Sequence, residues 1–320
     1  MRVHGVWASC VQGYAIGVLR ATTAVTTNDG FALPPRVPPP RLSLLLAREA
    51  PRAVVLRRGP SKWVEVIAWD MQRDVFERGA WFHGRIYERR SDLSPDGTKL
   101  IYFANKFTST TVKDKEYTYA WSAVSKVPYL TALALWPKGD CWWGGGLFRD
   151  NYTVFLNHRP AEATPHPRHA PNRLRVIPNA DARGEDDPLY SERLTRDGWF
   201  VRQEWRWESI GRDGFRTDVP ELRVRSHPNK RLEIVLARRL DVYRYRELFE
   251  VAAPPGRAGC DLTGADWVDW DHAGRLIVLR GGKVFTAPVS GSELGDLSEL
   301  IDLTADRPAE RETPRWAAVW

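Results

Sequence analysis

The chain has 320 residues, 43% hydrophobic and 27% charged, with a formal net charge of +7. Such a chain builds a packed core, as one large all-β domain or two ordinary ones, and is not a disordered polymer. The positive charge does not point to nucleic acid, because the arginines are scattered among Asp and Glu and the best basic cluster, RRGPSK at Arg57 to Lys62, is short. Fifteen Trp, 11 Phe and 10 Tyr stand beside only 2 Met, a bias toward strands.

The N-terminal stretch is interrupted by His4, Gln12 and Arg20, so it makes a poor signal peptide. Nowhere does an apolar run approach the ~18 residues of a membrane span. The chain therefore reads as cytoplasmic. Cys10, Cys141 and Cys260 are far apart and form no CxxC pair, which favours reduced thiols over a zinc or redox motif. FALPPRVPPPR, residues 31–41, is too rich in proline for a ladder or helix. Residues 1–41 thus read as an N-terminal segment with a Pro-rich connector, and 42–320 as the main domain.

From Leu42 onward, short apolar runs alternate with turns. RLSLLLA, AVVLRR, WVEVIAW, GRIYERR and KLIYFANKF each have strand length. SPDG at Ser94 to Gly97 and DHAG at Asp271 to Gly274 are turn sequences. Gly281-Gly282 between two β-branched runs predicts a hairpin, so WVDWDHAGRLIVLRGGKVFTAPV reads as three antiparallel strands. Trp205 and Trp207 alternate with charged residues, as do Tyr243 and Tyr245, which predicts strands with an aromatic face in the core. Residues 157–188, rich in Pro, Arg and His, read as a polar surface insertion. Helical periodicity is nearly absent; SGSELGDLSELIDL holds either a short helix or a loop.

LSPDGTKLIYF and WVDWDHAGRLIVLRGGKVF resemble the repeats of TolB-type and WD40-like β-propellers. The segment VPYLTALALWPKGD followed by GGGLF is similar to one in uncharacterised bacterial propeller-like proteins. The resemblance implies an all-β, propeller-like fold with about six blades at ~45 residues each; a pair of β-sandwiches is the competing architecture.

The most distinctive stretch is WPKGDCWWGGGLF, Trp136 to Phe148. The glycines match neither a P-loop nor a dinucleotide fingerprint, and the chain continues as a strand, which argues against nucleotide binding. Trp136, Asp140, Trp142, Trp143, Gly144, Gly145, Gly146 and Asn151 form either an aromatic-lined corner or a ligand-stacking site. His83 and Glu88 are a second candidate pair. His158, His166 and His169 lack the settled frame of a zinc site, and Asp266, Asp269 and Asp271 look like turn caps rather than a glycosidase pair. There is no GxSxG elbow. No metal and no cofactor are expected. The reading is a non-catalytic binding protein that docks a protein partner, with a carbohydrate-binding protein or hydrolase as the alternative.

Overall fold

The computed structural model describes residues 10–11, 14–15, 38–59, 61–210, 215–241, 244–252 and 260–320. The chain divides into two units, Met1–Val37 and Pro38–Trp320, and the second carries the fold. Tyr243 lies outside the described residues, as do the side chains of Cys10 and Tyr245 and most of the proline connector.

Five small sheets follow one another along the chain as the blades of a β-propeller. Blade 1 is an antiparallel meander of Arg41–Leu46, Arg52–Arg58, Trp63–Asp70 and Val75–His83. In blade 2, Arg85–Ile86 and Asp92–Leu93 both pair with Lys99–Asn105, followed by Ala120–Lys126 and Ala132–Pro137. Blade 3 has only Gly146–Asp150, Thr153–Leu156 and Arg175–Pro178, the last running parallel to its neighbour. After a helix, Leu189–Arg196, blade 4 is formed by Trp199–Gln203, Glu221–Ser226, Glu233–Asp241 and Arg244–Ala252. Blade 5 consists of Ala265–Trp270, Leu276–Arg280, Lys283–Ala287 and Ser298–Asp302.

The expected count of about six blades is therefore corrected to five. Length alone overcounts because connectors absorb the difference: the loop 106–119, much of 157–198, a hairpin of Arg206–Ile210 with Phe215–Val219, and the segment after Asp302. Local turn chemistry was a better guide. Gly281 and Gly282, at φ +60° and +81°, close the hairpin between Leu276–Arg280 and Lys283–Ala287, a turn that needs positive φ at both positions. SGSELGDLSELIDL holds the small ladder Val289–Ser290 with Glu293–Leu294, then the last blade strand, rather than a helix.

Adjacent blades pack face to face through buried apolar clusters. Leu45, Val54, Leu100 and Tyr102 join blades 1 and 2, while Trp136, Ile101, Phe148 and Leu156 join blades 2 and 3. Trp199, Leu236, Val268 and Trp270 join blades 4 and 5. Leu44, Val55, Ile277 and Val284 close the ring between blades 5 and 1. Here Asp266 also accepts the Leu42 N–H at 3.1 Å.

Blades 3 and 4 meet differently. Among the described residues no buried apolar cluster spans them. Instead the helix and its preceding loop supply ion pairs. Arg149 of blade 3 binds Glu192 at 2.7 Å and Arg238 of blade 4 binds Asp187 at 2.9 Å, while Arg196 and Asp186 reach Asp92 of blade 2 and the adjoining Arg90 at 2.6 and 2.9 Å. The helix was illegible in the sequence because its inward face is only Leu189, Tyr190, Arg193 and Leu194, too few positions to establish a 3.6-residue period.

After the last strand the chain crosses back over blades 1, 2 and 3. The Arg57 guanidinium donates to the carbonyls of Leu303 at 2.8 Å and Asp306 at 3.0 Å, and Arg78 pairs with Asp306 at 3.0 Å. Thr313 then bonds Thr131 at 2.8 Å, Lys126 donates to the Trp316 carbonyl at 2.8 Å, and Trp320 packs on the cluster between blades 2 and 3.

Beneath this strap Glu65 is 1% exposed, next to Arg57 and Trp81 across the sheet, with neither carboxyl oxygen hydrogen-bonded. Burial, with Asp306 adding, pushes its pKa up to about 7 from the usual 4.5. The folded state then holds this proton more tightly than the unfolded chain, so Glu65's contribution is fully present below pH 4.5 and is lost as pH climbs through 7. Urea unfolding of Glu65→Gln at pH 5 and 7.5 should show the variant gaining on wild type by about 2 kcal/mol over that interval. A difference that does not change with pH would rule this out.

Candidate functional site

The Trp-Gly segment is a corner built around a buried arginine. Arg90, 1% exposed, donates to the carbonyls of Cys141 at 2.8 Å and Trp143 at 2.7 Å. Its guanidinium also lies over the rings of Tyr87 and Phe103. Gly144 donates to the Asn157 carbonyl, and the Gly145 carbonyl accepts from Asn157, both at 2.9 Å. Gly145 sits at φ +76°, where a Cβ would stand 1.9 Å from the Arg90 carbonyl oxygen. Gly146 opens the first strand of blade 3. Gly145 and Gly146 are there because the Arg90 and Phe155 backbones pass too close for a side chain, and Gly144 because the Phe103 ring fills the space.

The remaining sequence candidates are spread over several environments. Trp136 is fully buried in the cluster between blades 2 and 3. Trp143 donates to Glu162 at 2.7 Å and has Lys138 and Arg159 at 4.5 and 4.3 Å from its ring, so little of its π surface is left for a sugar. Asp140 accepts from Lys138 and from the Trp142 N–H. Trp142 is the open ring of the corner, 59% exposed. Asn151 accepts the Asp96 N–H at 2.9 Å, clasping the SPDG turn. His83 stacks on Trp63 at 4.6 Å, whereas the Glu88 carbonyl accepts from Arg193 at 2.8 Å; the pair serves different neighbours.

Sequence reasoning missed Ser122 and Asn157, which hold the corner from below. The Gly145 N–H donates to Ser122 Oγ at 2.7 Å, and Ser122 bonds His158 Nε2 at 2.8 Å. His158 Nδ1 faces the Glu162 carbonyl at 3.1 Å, so Nδ1 carries the proton and Nε2 accepts the serine hydroxyl. This is the hydrogen bonding of a nucleophile and its base, yet Ser122 and His158 are both fully buried. Burial drives the His158 pKa down to about 4, so the unfolded chain takes up this proton first and the stability contribution of the neutral ring is lost as pH falls from 6.5 through 4.

Other potential catalytic groups are also engaged in structure. Asp271 Oδ1 accepts the Arg275 N–H at 2.7 Å, capping the DHAG turn, and Asp269 binds Arg225 at 3.2 Å. His166 bonds Glu116 and stacks on Tyr117, and His169 Nδ1 donates to the Ala132 carbonyl. Among the described residues no group of three or more His, Cys, Asp or Glu is placed to hold a metal, and no helix is long and apolar enough to cross a membrane.

Two further features are open to solvent or to a ligand. One is a cavity of about 330 Å³ where the end of blade 1 meets blade 2 under the loop 106–119, walled by Phe82, Tyr102, Tyr117, Trp121 and Leu135. The other is blade 4. One of its faces packs on blade 5; the other carries Phe200, Leu222, Val224, Val235, Ala237 and Leu248 by strand register. Phe200 and Leu248 on it are 63% and 61% exposed. Beside it Trp205 and Trp207 stand at the base of the inserted hairpin, 36% and 52% exposed, with rings edge to face at 5.5 Å. The expectation that this aromatic pair belongs to the core is overturned, because both rings are exposed to solvent and, among the described residues, the hairpin ladder pairs only with itself.

No protein-family model, curated protein or solved structure matches this chain.

Proposed function

We propose that this chain is a non-catalytic propeller that docks a protein partner in a regulatory or scaffolding role. A bacterial cytoplasmic setting and kinship with TolB- and WD40-like repeats belong to the same proposal. The observation that carries it is the aromatic and aliphatic surface of blade 4. Trp205, Trp207, Phe200 and Leu248 are all solvent-exposed, and a charged rim such as the Arg202–Glu233 pair at 2.5 Å borders them. Exposed apolar patches ringed by charge mark protein interfaces, and tryptophan is a preferred anchor of their energetics. The second reading, a sugar ligand at the corner, rests on Trp142 alone.

The test is affinity capture from the native host with wild type and with Trp205→Ala/Trp207→Ala. Each tryptophan is expected to supply about 2 kcal/mol, so the double variant should lose a stoichiometric partner while its melting temperature stays within ~2 °C. Retention of that partner by the folded double variant would refute docking through blade 4.

A further inference from the structure

The cavity at the junction of blades 1 and 2 has a chemical bias that specifies its ligand. Its walls come from the strand ends of two blades, Phe82 from blade 1 and Tyr102, Trp121 and Leu135 from blade 2. Thr111, Asp114, Tyr117 and Thr118 on the covering loop complete it. At about 330 Å³ it stands at the small end of ligand sites, roughly 300–1,000 Å³, which suits one ring or a short branched chain.

The hydrogen-bond donors of this lining are already used. Tyr102 donates to the Leu130 carbonyl at 3.0 Å, and the Trp121 indole bonds the Tyr102 hydroxyl. Tyr117 faces His169 Nε2 at 3.3 Å, and that nitrogen is an acceptor because His169 Nδ1 gives its proton to Ala132. Thr111 donates to the Lys106 carbonyl, and Thr118 to the carbonyls of Tyr117 or Ala120. No Lys, Arg or His is among the lining residues. The cavity has nothing to offer a carboxylate, phosphate or other anion.

It does offer acceptors. Asp114 takes the N–H groups of Glu116 at 2.8 Å and Tyr117 at 3.0 Å, and these bonds hold its carboxyl below the usual range, hence ionised. A carboxylate has about four acceptor sites, so capacity remains for a ligand donor. Aromatic rings beside a negative charge attract a positive group through both ring quadrupoles and direct charge; the neighbouring Arg168, 5.4 Å from the Tyr117 ring, is itself paired with Glu116 at 2.7 Å.

We propose that this cavity binds a small organic ammonium ion carrying one apolar group, with the cation toward Asp114 and the apolar group among Phe82, Tyr102, Trp121 and Leu135. The site is separate from the blade 4 surface and does not depend on the docking proposal.

Titration calorimetry on the full chain with three probes of one shape decides it: 2-phenylethylammonium, 2-phenylethanol and 3-phenylpropanoate. The ammonium ion should bind about tenfold more tightly than the alcohol, with no binding of the carboxylate. Asp114→Asn, which keeps an acceptor for the two backbone N–H groups, should bring the ammonium ion down to the affinity of the alcohol. Equal binding of alcohol and ammonium, binding of the carboxylate, an unchanged Asp114→Asn affinity, or no ammonium binding at ~10 mM would each overturn the proposal. The comparison of probes on wild type is decisive by itself should the variant not fold.

Discussion

Gly145→Ala is expected to destabilise the protein by about 3–5 kcal/mol and to lower its melting temperature by roughly 5–10 °C. Two independent costs combine. The first is conformational: at φ +76° an L-residue costs about 1–2 kcal/mol. The second is steric, since the new Cβ would meet the Arg90 carbonyl at 1.9 Å. That carbonyl cannot retreat easily, because the Arg90 side chain is tied to Cys141, Trp143 and Asp186. Gly281→Ala provides the control. It has φ +60° and no atom within 4 Å of its Cβ position, so it should show the conformational cost alone. Similar losses from both substitutions in denaturant unfolding would mean that the close approach at Gly145 is not the cause.

Arg196→Met is expected to cost about 3–5 kcal/mol, the penalty for stranding a buried charge. Arg196 forks onto Asp92 with contacts of 2.6 and 2.8 Å, and Asp92 is 2% exposed. The same guanidinium also binds Asp197 at 2.8 Å, whose carboxyl is pushed upward by burial while Arg196 opposes that shift. Without Arg196 the remaining nearby cations are Arg48, itself disfavoured by burial, and Arg193, whose guanidinium is committed to the Glu88 and Ser91 carbonyls. Asp92→Asn in the Arg196→Met background removes the stranded charge while keeping an acceptor for the Phe148 N–H, found at 2.7 Å. The double variant should recover about half of the loss. Recovery of nothing would show that Arg196 matters through its packing and its bond to Asp197 rather than through Asp92.

What the sequence made legible was local. The glycine pair at 281–282, the DHAG turn and the strand after Gly146 declare themselves within a dozen residues, because turn type and strand alternation are short-range properties. The corner was legible in part: Trp136 and the glycines stand in one segment, but the Arg90, Ser122 and Asn157 that explain them come from elsewhere. The blade 1–2 cavity was invisible for the same reason, since Phe82, Tyr102 and Tyr117 acquire a common wall only when two sheets stack. The exposed tryptophans of blade 4 show a further limit. Alternation reveals that Trp205 and Trp207 are close neighbours, but not whether another sheet covers them. Even the blade count depended on how much chain the connectors consumed.

The strap that follows Asp302 bears on assembly. Each blade is drawn from a continuous stretch of chain, so among the described residues no strand is lent from one end of the propeller to the other to fasten the circle. Fastening falls instead to the apolar contact of blades 5 and 1 and to strap bonds that join residues 246, 228, 190 and 182 positions apart. Contacts that distant carry a large loop-closure entropy and form late. The blades can therefore fold one after another as local hairpins, leaving a split washer that closes when blade 5 meets blade 1 and tightens as the final segment is drawn across blades 1 to 3. Unfolding would begin at the same place, with the strap peeling away before any blade is lost.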